Sequence, residues 1–444
     1  MAVLEKSAAR VEWRQRFVST TEPMRGAFFW LSAFYVVYCA RPEDWIPGLK
    51  YLPLAKISGI FAVLGFVFSA GRSRRSIRHL PREAFYLVAM IGMLLLAGLL
   101  SPVWKGGGVI KTVEFAKVLV AWVLTYLVIT SFARLRRIIF IQSASVVLIA
   151  IVSLLKGRDH PRLEGVIGGI YSNPNDLAFA IVLSLPFCVA FLLYTKKLPR
   201  KAAWVLAMLA MCTALFLTAS RGGFITLLAT AAVGLWHFGV KGRRPQLIAA
   251  VLLVGLVVGV TAGGRLKDRF IAISGEELND SVDVSAHGSY EQRALLMEKS
   301  VEGIVHYPLG IGLGNFPNYS GTWREVHVAY LQIAVEGGIA ACIFYLLFFE
   351  RGFANLRRLR HVGDMDGETE LFAGALHSSL IGFLVGALFA PEAYQFFPYF
   401  AVVYTSVLLA IAQEKVQPDG IADSTVRPQW KRRYVKAEDL TAVR

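Results

Sequence analysis

Long apolar blocks separated by short polar segments recur along this chain. Twelve of them approach the length of about 20 residues that a helix needs to cross a hydrocarbon layer roughly 30 Å thick. They fall at approximately 26–40, 52–71, 83–101, 112–132, 137–155, 176–195, 202–219, 222–240, 246–262, 328–349, 371–390 and 396–412. The pattern predicts an all-α polytopic membrane protein of about 12 transmembrane helices. Residues 1–25 form a segment ahead of the first span, 26–262 carry nine spans, 263–327 form one large polar loop, 328–412 carry three more spans, and 413–444 form a tail.

The large loop contains its own helical signal. Ser289 with Gln292 three residues on reads as a capping box, and Tyr290, Ala294, Met297, Val301 and Ile304 recur at helical spacing. An amphipathic helix is expected over 290–305, ending before Pro308. The string PLGIGLGNF follows, with Gly310, Gly312 and Gly314 placing backbone close to a packed helix or a ligand. It lacks the Gly-Lys-Ser/Thr ending of a phosphate-binding P-loop, and close packing is the favoured reading. A smaller loop, 156–175, holds Lys156, Arg158, His160, Arg162 and the string GIYSNPND.

Composition narrows the class further. The chain is 55% hydrophobic and 18% charged, against roughly 25% charge in an average soluble domain, so a soluble protein is excluded. Its formal net charge is +16, and nucleic acid is not needed to explain it. The basic residues gather in alternate loops, around Arg72–Arg82, Arg134–Arg137, Lys196–Lys201, Lys241–Arg244 and Arg351–Arg360. Cytoplasmic loops retain positive charge, so both termini are placed in the cytoplasm and both functional loops on the opposite, external face. There they have no access to ATP or nucleotide sugars, and a substrate must arrive already activated. The first span lacks a small-x-small cleavage pattern and is expected to stay in the membrane. Cys39, Cys188, Cys212 and Cys342 lie in or at the ends of spans and suit packing, not a disulfide framework or zinc.

Few residues on the external face carry obvious chemistry. Arg221, in SRGG between two apolar runs, sets a guanidinium at the membrane boundary, where charge is costly and an anion is its natural partner. A planar guanidinium suits a diphosphate through paired hydrogen bonds. Arg293 lies in the first turn of the loop helix. His327 opens the tenth span, where an imidazole meets both lipid-borne and water-borne groups and can accept a proton from a hydroxyl. Glu336 lies about 13 Å further along a helix, too far to orient His327, and is read as a buried contact beside Gly337 and Gly338. His160, His287 and His306 show no ligand spacing, and no metal or cofactor is expected. Glu114 and Lys117, three apart in the fourth span, are read as an ion pair.

Together, SRGG after a span, P-x-G-x-G-x-G-N-F in a long loop, and His-x-x-Tyr-Leu-Gln followed by Glu-Gly-Gly resemble the O-antigen ligase family. The family also holds O-antigen polymerases and protein O-oligosaccharyltransferases. The resemblance runs from about 165 to 350, with NPND resembling an earlier family segment. It implies a GT-C-like membrane enzyme of the inner membrane that moves a glycan from undecaprenyl diphosphate to an acceptor hydroxyl on the periplasmic face, without metal or nucleotide. Carried over, it makes His327 the base or acceptor-orienting group and Arg221 and Arg293 the diphosphate clamps, with Asn175, Asn315, Tyr330 and Glu336 in support. Val328 stands where Asn, Ser or Gln usually follows the histidine, and Ala341 where Gly, Thr or Tyr is usual; both departures lie on the acceptor side. The favoured reading is an inverting ligase with a lipid A-core-like acceptor. Polymerisation or protein glycosylation would keep the fold and change the acceptor. A twelve-span secondary transporter predicts two related halves, which the sequence does not show, and a non-catalytic scaffold would tolerate alanine at His327.

Overall fold

The computed structural model describes residues 24–72, 75–156, 162–163, 171, 173–242, 244–245, 247, 280–322, 324–363 and 365–416. Among them the regular structure is entirely helical. Apolar helices α1 (Arg25–Ala40), α2 (Leu54–Ser69), α3 (Arg82–Leu99), α4 (Lys105–Val128), α5 (Phe132–Lys156), α6 (Pro174–Tyr194) and α7 (Leu198–Leu217) come first. Next is α8 (Arg221–Gly234), which runs directly into a π-helical segment, Leu235–Lys241. Helix α9 (Asp280–His306) and the short α10 (Phe316–Ser320) belong to the large loop, and α11 (Ala329–Leu359), α12 (Gly367–Gly386) and α13 (Phe396–Val416) complete the bundle.

Eight of these are long and apolar enough to cross a membrane: α3, α5, α6, α7, α8 with its π segment, α11, α12 and α13. Helices α1 and α2 are apolar but 16 residues each, and α4 carries Lys111, Glu114 and Lys117. The expected ninth span, 246–262, lies outside the described residues apart from residue 247. Burial sorts the helices by their side-chain pattern. In α6 and α13 78% of the apolar window is enclosed by protein, against 17% in α7, so the first two form the centre of the bundle and α7 its rim. This follows from sequence, since a helix apolar on all faces is stable either in a core or against lipid.

Three expectations change. Helix α9 begins at Asp280, so Ser289 lies within it and not at its start. Its buried face is also not the expected apolar stripe: Met297 and Val301 are exposed, while Leu296 and Ser300 are enclosed. The reason is close approach. A Cβ on Gly303 would stand 2.7 Å from Val335 of α11, so Gly303 and Ser300 set the close contact while Met297 and Val301 are turned outward. Finally, Glu114 and Lys117 are both exposed, and among the described residues no ion pair joins them.

The feature that shapes the site end is a break in α11. Gly338 has φ +82° and ψ 171°, which interrupts the helix one residue after Gly337. Backbone groups freed inside a membrane protein need partners from protein, and the glycine string supplies them. Ile311 N–H donates to Val335 O (2.9 Å), Gly312 N–H to Glu336 O (2.9 Å), and Ile339 N–H to Pro308 O (3.0 Å). Only glycine lets the two backbones come this close: a Cβ on Gly310, itself at φ +94°, would lie 2.6 Å from Glu336 O.

Asn315 fastens the same loop to the α3–α4 turn. Its buried amide nitrogen donates to Ser101 Oγ (2.9 Å), Ile311 O (2.8 Å) and Trp104 O (3.0 Å). Replacing Asn315 by leucine would remove these bonds, at about 0.5–1.5 kcal/mol each, although Ile311 O keeps the Ser101 hydroxyl and Trp104 O keeps Gly108 N–H. A lowered thermal midpoint and protease cleavage within 308–316 are the expected results for the purified variant; an unchanged midpoint would show that the amide is not a fastener.

Candidate functional site

The residues singled out from sequence collect at one end of the bundle in two groups. The first is built on the starts of α6 and α8. Asn173 caps α6, its side chain accepting from Asn175 N–H at 2.9 Å. That turn presents the Asn175 side-chain oxygen, which accepts from Ser220 Oγ (2.8 Å) and from Arg162 Nη2 (3.2 Å). Ser220 in turn caps α8, accepting from Gly223 N–H at 3.1 Å. Arg221 is therefore the first residue of a helix whose cap is tied across to α6. A helix N-terminus with a guanidinium beside it concentrates positive potential where an anion would dock. Arg162 also donates through Nε to Thr218 O at 2.8 Å, which joins the 156–175 loop to the α7–α8 turn.

The second group surrounds His327, two residues before α11. The imidazole is half-buried, and Nδ1 lies 2.9 Å from Glu325 O. A carbonyl oxygen can only accept, so Nδ1 holds the hydrogen and the neutral ring leaves Nε2 bare. Burial holds the ring below the ordinary histidine value of 6.5, and the nearby charges of Arg293 and Arg324 act in the same direction. Arg293 projects from α9 at intermediate exposure, and Arg324 Nη1 reaches back to the Gln292 side chain beside it. Arg293 thus lies close enough to His327 for its charge to act on the ring.

The two groups are joined by the 387–393 segment between α12 and α13, which sequence reasoning passed over. Ala329 N–H donates to Ala387 O (2.8 Å) and Ala393 N–H to Gln332 Oε1 (3.3 Å). Gly222, next to Arg221, packs on Phe389, where a Cβ would lie 2.6 Å from the Phe389 Cβ. In the same segment Glu392 is 6% exposed. Burial first, then the charge of Asp176, drives its carboxyl well above the usual range. Glu325 lies close enough to feel both Glu392 and Asp176, and its own carboxyl is raised by burial and lowered by Lys111. Asp176 was visible within NPND, but a lone carboxylate in a short loop such as Glu392 reads as solvated.

The remaining predicted residues have structural positions. Asn315 is the loop fastener described above. Tyr330 donates its hydroxyl to Leu384 O at 2.8 Å, tying α11 to α12. Glu336 is 2% exposed and sits in the paired backbone beside the α11 break. It does not reach His327, in agreement with their spacing. Of the other histidines expected on the external face, His306 is exposed with Nδ1 on Glu302 O, while His160 lies outside the described residues and nothing is described of the His287 side chain.

Residues 206–346, from within α7 to the second half of α11, match the family model described as O-antigen ligase. This is the family that the motifs resemble, and the matched stretch contains Arg221, Arg293 and His327. No curated protein matches the chain. The apolar helices mark a membrane protein, and its 206–346 stretch is similar to the O-antigen ligase family.

Proposed function

We propose that the protein is an O-antigen ligase-type glycosyltransferase, which moves a glycan from undecaprenyl diphosphate to an acceptor hydroxyl, lipid A-core-like in chemistry, on the periplasmic face of the inner membrane. The observation that carries this reading is the His327 ring, with Nδ1–H on a backbone carbonyl, Nε2 bare and Arg293 beside it. The basic helix ends lie at the far end of the bundle from His327; there Arg136 pairs with Glu368 and Lys241 with Glu370. Under the positive-inside rule that end is cytoplasmic, which sets both termini inside and the site outside.

The reaction is a single displacement. The acceptor oxygen attacks the anomeric carbon as the bond from that carbon to the diphosphate oxygen breaks, and the configuration inverts. The acceptor proton passes to His327 Nε2, and undecaprenyl diphosphate leaves with the bonding pair. Arg221 and Arg293 oppose the charge that develops on the leaving group, the kind of fixed stabilisation that dominates many enzymes' rate enhancement. No cofactor takes part in this scheme.

Complementing a deletion strain with wild type, His327→Ala, Arg221→Ala or Arg293→Ala at equal membrane abundance tests the reading. Loss of surface glycan with accumulation of long undecaprenyl-diphosphate-linked chains is expected of all three variants. Accumulation of single lipid-linked repeats would assign the missing step to polymerisation instead. Full restoration by every variant would sink the catalytic assignment and return weight to a transporter or a scaffold.

A further inference from the structure

At the opposite end of the bundle from His327, a second cluster of ionisable groups lies apart from the residues assigned to glycan transfer. His237 lies in the π-helical segment Leu235–Lys241, and π segments inside helices recur at functional positions. Its Nε2 is 3.0 Å from Nδ1 of His377 on α12, with the rings nearly perpendicular at 82°. The pair is seated tightly: a Cβ on Gly374 would stand 3.1 Å from the His237 Cβ, and Phe353 meets the His377 ring edge-on at 5.7 Å.

The two imidazoles line an open cleft with Lys241, Leu356, Arg360, Met365, Glu370, Ala373 and Gly374. The charges around it are unequal. Glu370 is its one carboxylate and is engaged by Lys241 Nζ at 2.5 Å, with the Arg244 charge also acting on it. Arg360, at the C-terminal end of α11, acts electrostatically on both histidines, and among the described residues no carboxylate lies within ion-pair distance of it. A shared hydrogen satisfies the histidine pair when both rings are neutral. Any further proton would sit against Arg360 and Lys241, with Glu370, already engaged by Lys241, as the nearby counter-charge.

We propose that this cleft binds a phosphate-bearing anion, held by the Arg360 guanidinium and by N–H groups of His237 and His377, with Lys241 screening Glu370. Each part of the chemistry follows from the residues. Guanidinium groups match phosphate oxygens with paired donors, and basic pockets between membrane helices take up anionic head groups. A phosphate oxygen against the pair would add negative charge to that of Glu370 and let the second imidazole carry a proton. The anion comes either from a phospholipid head group or from free phosphate, and one set of measurements separates the two.

The full-length protein is placed in phosphatidylcholine nanodiscs, with and without phosphatidic acid. Retained phosphatidic acid is read by native mass spectrometry, and binding of labelled inorganic phosphate by equilibrium dialysis. Wild type is expected to hold at least one of these probes. Arg360→Gln and His377→Asn should each weaken binding about tenfold, as loss of one charge-assisted bond implies. Arg360→Lys should recover part of it, and Arg200→Gln, at another basic helix end, should change nothing. Retention of phosphatidic acid alone identifies a head-group site, and binding of inorganic phosphate with the same variant pattern identifies a water-borne anion. The proposal fails if wild type holds neither probe, or if Arg200→Gln weakens binding as much as Arg360→Gln, which would mark a diffuse basic surface.

Discussion

Glycan transfer by a reconstituted His327→Ala variant is expected to fall by about 10²–10⁴-fold, the usual worth of a positioned general base, with the fold intact. The ring is half-buried and bonded to its own chain segment through Glu325 O, so truncation removes little packing. The pH profile adds a second check. Protonation of Nε2 removes the base, and burial together with the charges of Arg293 and Arg324 keeps the ring below 6.5. Turnover should therefore be flat through neutral pH and decline only as the pH drops below that value. Arg293→Gln removes one of the charges that oppose protonation, so the acidic decline should move to higher pH. Its amplitude will also fall because Arg293 is assigned to the diphosphate, but the midpoint of the decline does not depend on amplitude. An alanine variant with wild-type turnover, or a decline that Arg293→Gln leaves in place, would remove His327 from the chemistry.

The sequence shows the parts of this molecule that depend on composition over a long window, and hides those that depend on which neighbour is present. Apolar blocks marked the helices because every residue in them contributes to the same signal. Arg221 and His327 stood out because a charged or ionisable group at a membrane boundary is costly, whatever packs beside it. The face of α9 was not legible. Periodicity identified Met297 and Val301 as its apolar side, but the contact with α11 is set by Gly303 and Ser300, whose small size carries no hydropathy signal. Glu392 was missed for a related reason: its burial comes from α6 and α11 closing over a short loop, and nothing in its own neighbourhood of the chain announces them. The glycines of PLGIGLGNF were read correctly as close packing, but their partner, the unwound stretch at Gly338, emerges only from the tertiary pairing.

That pairing makes Gly338→Ala the substitution with the largest expected effect on folding. At φ +82° and ψ 171° the backbone is in a region that is essentially restricted to glycine, at a cost of order 1–3 kcal/mol for any other residue. The new Cβ would also lie 2.6 Å from both Leu309 C and Pro308 O. Those are backbone atoms, so relief requires moving the loop. Moving it breaks the bonds from Ile339 N–H to Pro308 O, Ile311 N–H to Val335 O and Gly312 N–H to Glu336 O, and leaves their partners unpaired in a buried place. Gly314→Ala is the instructive comparison. It too has positive φ, at +74°, but its Cβ would meet only the flexible Lys111 side chain, at 3.3 Å, so it should incur backbone strain and little else. Gly338→Ala is expected to leave little monodisperse protein after extraction from membranes, while Gly314→Ala accumulates with a modestly lower thermal midpoint. Equal accumulation and equal midpoints for the two would mean that the loop does not close the break in α11, and that another contact holds the first turns of that helix, and His327 ahead of them, in place.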